Sequence, residues 1–297
     1  MNYKRMRLSI VLLVSIMHNA RLQPHDTQKI IIESPLPPHA FSKPHKRPII
    51  TIWVHGSKIF FSKIMTRFSF SPPGISHAQD LDPKYHHRTI ANTLSKACPA
   101  LFPAEHFYLF GWSGKLDFQT RKKEALVLYE QIAQLVRATQ QKYAVAPYVR
   151  IITHSHGGNV ALNMALYCNK DSDFVIDELI LLACPVQEET KNLVHAPCFK
   201  KVISLFSRID SMQVMDPQGM YAHMRVQKDS KKVPLFSERV FDGGQRLMQA
   251  SVQIGWRGLS HIEFLFDPFL THLATIIAYL NQDDDTGLSV RKIILKR

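Results

Sequence analysis

The stretch Val149-Arg150-Ile151-Ile152-Thr153-His154-Ser155-His156-Gly157-Gly158-Asn159-Val160-Ala161-Leu162 constrains the fold more than any other part of this 297-residue chain. An apolar run stops at a small, polar, glycine-rich corner, and an Ala/Leu-rich helical pattern starts at once. A strand, a tight turn and a helix in immediate succession lift one side chain, that of Ser155, above a sheet edge. Gly157 and Gly158 allow close strand–helix packing, and the helix start aims backbone N–H groups and a positive dipole end at the serine.

The corner departs from G-x-S-x-G in one place: Thr153 stands where the first glycine would be. Taken alone, the corner is equally an ordinary βα turn capped by Ser155, so the rest of the chain has to decide. Other apolar runs predict strands at 49–54, 107–110, 179–183, 202–206 and 249–256. Helical patterns at 87–96, 121–142, 159–167, 188–193 and 269–280 alternate with them. About six strands interleaved with helices predict an α/β domain over 48–282, with a mainly parallel sheet covered on both faces. Ligands in such sheets bind beyond the carboxyl ends of the strands. His55-Gly56, Ser155 and the residues after Phe206 all fall there.

The flanking segments read differently. Residues 1–20 place Lys4, Arg5 and Arg7 before a short apolar run, the pattern of a signal peptide or signal-anchor, which predicts export. Residues 21–47 carry Pro24, Pro35, Pro37, Pro38 and Pro44 and read as an extended linker outside the core; residues 283–297 read as a polar, basic tail. The four cysteines show no C-x-x-C spacing and demand no disulfide, though one or two could form in an exported chain. A formal charge of +13 favours anionic surfaces, among them a membrane met peripherally, yet no nucleic-acid-binding signature is present. Nothing in the sequence bears on the oligomeric state.

A serine needs a base within hydrogen-bond reach and a group that orients the base. Asp210 lies just after the 202–206 strand, with Asp216 as the alternative acid. His261 lies between the last predicted strand and the last helix. Serine, acid and histidine thus occur in the order Ser155, Asp210, His261, each at the same sheet edge. Two N–H donors for an oxyanion are expected from His156 and from Gly56 or Ser57. Ser113, in Gly-Trp-Ser-Gly, is a weaker nucleophile candidate because no helix follows it directly. His86 and His87 are adjacent, so their side chains diverge, and no metal or organic cofactor is required by this chemistry.

With His55-Gly56 after a strand, the T-H-S-H-G-G corner, Asp210 after a strand and His261 before the last helix, the sequence resembles the α/β-hydrolase superfamily in its lipase and serine-esterase branch. A looser resemblance runs to inositol-deacylase-like esterases. The resemblance spans about 48–282 and implies Ser155 as nucleophile, Asp210 as acid, His261 as base and a carboxylic ester, lipid-like ahead of small and polar, as substrate. An acyltransferase on the same triad and a non-catalytic hydrolase-fold protein that binds membrane surfaces are the alternatives. Residues 57–85 form an unusually long connection with Phe60, Phe61, Ile64, Met65 and Phe68 at helical spacing. That segment is expected to be a lid or acyl-chain shelf, or else a peripheral helix packed on the core. His55, Trp112, Phe60 and Phe61 are the expected substrate contacts, with packing as the other role open to Trp112.

Overall fold

The computed structural model describes residues 28–41, 46–57, 71–168, 174–215, 237–282 and 290–296. Strands form where the apolar runs leave no polar alternation. β2 (Ile49–Val54), β6 (Glu178–Leu182) and β7 (Val202–Phe206) are buried along their whole length, and β5 (Tyr148–His154) along all but its first residue. Successive side chains go to opposite faces, so each strand feeds two cores. Ile50, Ile52 and Val54 of β2 pack on one face, while Trp53 packs on the other.

Among the described residues ten strands form one sheet. The order is β1 (Lys29–Ile32), β10 (Val290–Leu295), β8 (Leu247–Ile254), β7, β6, β5, β2, β4 (Phe107–Gly111), β3 (Gly74–His77), with β9 (Arg257–Gly258) attached to β8. All pairings are parallel except β3 with β4 and β9 with β8. The helices α1 (His86–Ala97) and α5 (Asp267–Gln282) cover one face. The helices α2 (Phe118–Tyr143) and α3 (Gly157–Asn163) cover the other, and a one-turn helix α4 (Ser211–Val214) follows β7. The chain leaves β2 toward β4 on one side and returns to β5 on the other, so a topological switch point lies between β2 and β5. Ligands of such sheets bind at that point, beyond the carboxyl ends of the strands. Residues 55–57 follow the end of β2 and Ser155 follows the end of β5.

The expected parallel α/β sheet is present, with more strands than six. The last predicted strand ends at Ile254, and residues 255–256 turn back into β9. The stretch 188–193, expected as a helix, forms turns and a short 3₁₀ segment at Lys191–His195.

Two segments expected outside the domain belong to the sheet. Within the supposed linker, β1 pairs with β10 and buries Ile32. Within the supposed tail, β10 inserts between β1 and β8 and buries Arg291, Ile293 and Leu295. Adjacent Arg291 and Lys292 leave 290–295 without a polar–apolar alternation, yet it is a strand whose buried face holds Arg291, Ile293 and Leu295. Part of the supposed lid, Gly74–His77, is an antiparallel edge strand on β4. Phe60, Phe61 and the rest of 58–70 lie outside the described residues, as do residues 1–27 and Asp216. No helix among the described residues is long and apolar enough to cross a membrane.

Deleting residues 290–297 therefore removes a paired strand together with two fully buried aliphatic side chains, each worth ~1.5–3 kcal/mol. The truncated protein should melt about 10 °C lower, or fail to accumulate in soluble form. A thermal melt unchanged from that of the full chain would show that β10 is not part of the folded sheet.

Candidate active site

The corner after β5 has the geometry its sequence calls for. Ser155 takes the left-handed conformation at φ 54°, a strained state for a residue with a Cβ. Backbone bonds hold it there: its N–H donates to the Leu182 carbonyl at 2.9 Å, and its carbonyl accepts from Gly158 N–H at 2.9 Å. The two glycines are required by approach distance. A Cβ on Gly157 would fall 2.4 Å from the His55 carbonyl oxygen, and one on Gly158 would fall 2.4 Å from Cys184 Sγ. Helix α3 is thereby seated directly on the ends of β2 and β6. Thr153 replaces the first glycine without penalty, because it is fully buried and its hydroxyl donates to the Ile180 carbonyl on β6 at 3.2 Å.

Asp210 and His261 meet as expected. Asp210 follows β7 and caps α4, its Oδ1 accepting from Gln213 N–H at 3.1 Å. Its other oxygen, Oδ2, accepts from His261 Nδ1 at 2.8 Å, and both side chains are buried. Arg239 donates to the Asp210 backbone carbonyl at 2.9 Å and helps fix the loop. His261 opens a 3₁₀ turn, His261–Leu265, set by a capping box between Ser260 and Glu263. With Nδ1–H committed to a carboxylate, Nε2 is the imidazole nitrogen left with a lone pair to accept a proton.

Both histidines beside the serine are buried. His154 Nε2–H donates to the His261 carbonyl at 2.9 Å, and the two rings lie 4.7 Å apart. The sequence points to the position of His261 but gives no sign of this tie between the corner at Ser155 and His261. Burial, with His261 and His55 nearby, pushes the His154 imidazole down to about 3. Burial also holds His156 well below the usual imidazole range, with the Arg121 guanidinium adding to the effect.

His55 and Trp112, expected as substrate contacts, instead brace the loop that faces the serine. Trp112 N–H donates to His55 Nε2 at 3.1 Å, so the Nδ1 of a neutral ring carries the proton and donates to the Gly56 carbonyl at 2.6 Å. Trp112 Nε1–H donates to the His55 carbonyl at 2.7 Å, and the His55 ring is stacked between Trp112 and His87. These bonds engage the polar atoms of both rings in the scaffold. They also fix the peptide between Gly56 and Ser57. Gly56 abuts Ser155 so closely that a Cβ on it would stand 2.8 Å from Ser155 Cβ.

The remaining candidates fall away. Ser113 has a buried hydroxyl with no hydrogen-bond partner among the described residues, and its amide faces Glu124. His86 and His87 diverge, toward the Leu265 carbonyl and the Ser71 hydroxyl. Among the described residues no group of three or more His, Cys, Asp or Glu side chains could hold a metal ion.

No protein-family model matches the sequence, and no curated protein matches it. Among solved structures the chain is similar to metagenome-derived lipolytic enzymes at 9% identity, over 81% of this chain and 96% of that one, with a TM-score of 0.41. It is similar to carboxyl esterase 2 of the mycorrhizal fungus Tuber melanosporum at 9% identity, over 93% and 97%, with a TM-score of 0.42. It is also similar to a hyperthermophilic esterase of the archaeon Pyrobaculum calidifontis at 11% identity, over 94% and 89%, with a TM-score of 0.39. What the site can do follows from its own geometry. A parallel sheet with a left-handed serine between β5 and α3, then an acid after β7 and a histidine after the β8–β9 hairpin, is the α/β-hydrolase arrangement.

The two buried histidines make stability depend on pH. An unfolded histidine titrates near 6.5, whereas folded His154 stays neutral down to about 3. Between those values the unfolded chain binds the extra proton, so stability is complete above about pH 6.5 and is lost as pH falls. By pH 5 His154 costs on the order of 2 kcal/mol, and His156 contributes in the same direction. The melting temperature should therefore drop measurably from pH 7.5 to pH 5. A flat profile across that range would show that these imidazoles are not held neutral.

Proposed function

We propose that the protein is a serine hydrolase of carboxylic esters, with lipid-like acyl esters ahead of small polar ones. The observation that carries this reading is the buried Asp210–His261 hydrogen bond of 2.8 Å at the same sheet edge as a strained, left-handed Ser155. In the proposed reaction Ser155 Oγ attacks the ester carbonyl carbon, and its proton passes to His261 Nε2. Asp210 keeps the imidazole in the Nδ1–H tautomer and offsets the charge of the imidazolium. The tetrahedral oxyanion is held by the amide of His156 and by that of Gly56 or Ser57. Collapse of the intermediate breaks the ester C–O bond, and the imidazolium protonates the departing alcohol. Water, deprotonated by the same histidine, then releases the acid from the acyl-serine.

The surroundings support this division of labour. His154 ties the elbow to the His261 backbone, and His55 pins the Gly56 carbonyl. Nucleophile, base and oxyanion loop thus sit on fixed elements, as preorganised catalysis demands. The preference for lipid-like acyl groups rests on the apolar composition of 57–70 and on the apolar side chains that stand exposed beside the acid and the base, Ile209 and Ile262.

Turnover of p-nitrophenyl esters of graded acyl length tests the assignment. Ser155→Ala should fold normally and lose roughly 10⁶ in turnover. Asp210→Asn should lose ~10⁴, because an amide favours the wrong imidazole tautomer. Ser113→Ala should remain active, and Asp216→Asn should have a far smaller effect than Asp210→Asn. Near-normal hydrolysis by folded Ser155→Ala would remove the mechanism.

A further inference from the structure

We propose that the tip of the β8–β9 hairpin docks the catalytic edge onto an anionic lipid surface, with Trp256 as its apolar anchor. Trp256 is 86% exposed, the most exposed large apolar side chain among the described residues. The chain has three tryptophans, and the other two, Trp53 and Trp112, are buried. A fully solvated indole is unusual, since its apolar body and polar N–H suit a boundary between oil and water.

The backbone presents this side chain deliberately. β8 pairs with β7 only as far as Ser251 opposite Phe206, then continues through Ile254. At ~3.3 Å per residue the extension stands about 10 Å above the end of β7. Gly255, at φ 62°, and Trp256 form a two-residue turn, and β9 returns antiparallel, with Arg257 opposite Ile254. The Gly255 N–H donates to the Leu295 carbonyl at 2.7 Å, which buttresses the tip with the last turn of β10.

The tip has apolar company at the site mouth. A Cβ on Gly258 would lie 2.9 Å from Ile209 Cγ1, so β9 rests on the loop that carries Asp210. Ile209 is 57% exposed. Arg257 forms a two-pronged ion pair with Glu263, which draws the segment bearing exposed Ile262 to the hairpin. Ile209 and Ile262 are the chain neighbours of the acid and the base, so a surface pressed on Trp256 is presented to the triad.

Charge selects the occupant. Exposed Arg208 and Lys296 flank the patch, Lys296 while paired with exposed Glu33, and the chain carries a formal +13. An apolar wedge flanked by Arg208 and Lys296 on a strongly basic protein fits anionic headgroups over acyl chains. The surface deepens the ester-hydrolase reading and rests on it only for its purpose, since docking needs no turnover.

The test uses Ser155→Ala protein and vesicles of phosphatidylglycerol with phosphatidylcholine. Because Trp53 and Trp112 are already buried, a change in emission on adding vesicles reports Trp256. The emission should shift to the blue and be quenched by brominated acyl chains. Sedimentation with the vesicles should weaken about tenfold in Ser155→Ala/Trp256→Ala, the loss expected for one anchored aromatic side chain. Binding to phosphatidylcholine alone should be several-fold weaker, and equal binding to both would overturn the anionic assignment. Unchanged emission with equal sedimentation of both variants would overturn docking altogether. A concentration-dependent blue shift without vesicles, with a dimer lost in the Trp256→Ala variant, would give the tip to a second copy of the chain and likewise overturn the proposal. A protein that docks yet hydrolyses no ester would contradict only the catalytic reading, and an active one that does not dock only this surface.

Discussion

The site depends on how closely helix α3 approaches the sheet. Gly157 meets the backbone oxygens of Val54 and His55, and Gly158 meets the side chain of Cys184. No side chain larger than hydrogen fits at either position without moving β2 or β6. That approach holds the turn at Ser155 in a left-handed conformation that would otherwise relax, and it points the start of α3 at the serine. The strain is local and is offset by burial of α3 against the sheet. The close approach at both glycines thus converts an ordinary βα corner into a strained, buried serine at the carboxyl end of the sheet.

Around that corner the polar groups form a dry, mostly neutral network. His154 and His156 lie on either side of Ser155, and burial favours the uncharged form of both. A second set, His55, Trp112 and His87, is stacked beside the loop at Gly56. Both carboxylate oxygens of Asp210 are engaged, one by the Gln213 amide of α4 and one by His261. In such surroundings a carboxylate–imidazole pair is little screened and keeps one geometry.

Sequence and structure agree best where burial on both faces leaves an unmixed signal. β2, β4, β5, β6 and β7 are largely continuous apolar runs, and their order in the sequence alone places Ser155, Asp210 and His261 on one edge. The strands that went unread lie toward the sheet margins or project beyond it. In β10, Arg291 and Lys292 stand side by side and Arg291 lies on the buried face, so the residue types show no alternation, and β3 has four residues, none fully buried. β1 is hard to read because Pro35, Pro37 and Pro38 follow it closely, outside the strand. The roles of His55 and Trp112 were misjudged for a different reason. A histidine after a strand looks the same in sequence whether its ring faces a substrate or the peptide next to it. Only the short bond from Nδ1 to the Gly56 carbonyl distinguishes the two. His154 was invisible as a tie to His261 because that contact joins residues 107 positions apart.

The central claim is that Ser155 is an activated nucleophile, and a mechanism-based label reads this most directly. Full-length protein treated with a fluorophosphonate, digested and analysed by peptide mass spectrometry should carry one phosphonyl group, on Ser155. Labelling should fall steeply in Asp210→Asn and vanish in Ser155→Ala. An unlabelled wild-type protein, or a label found on Ser113 instead, would contradict the account.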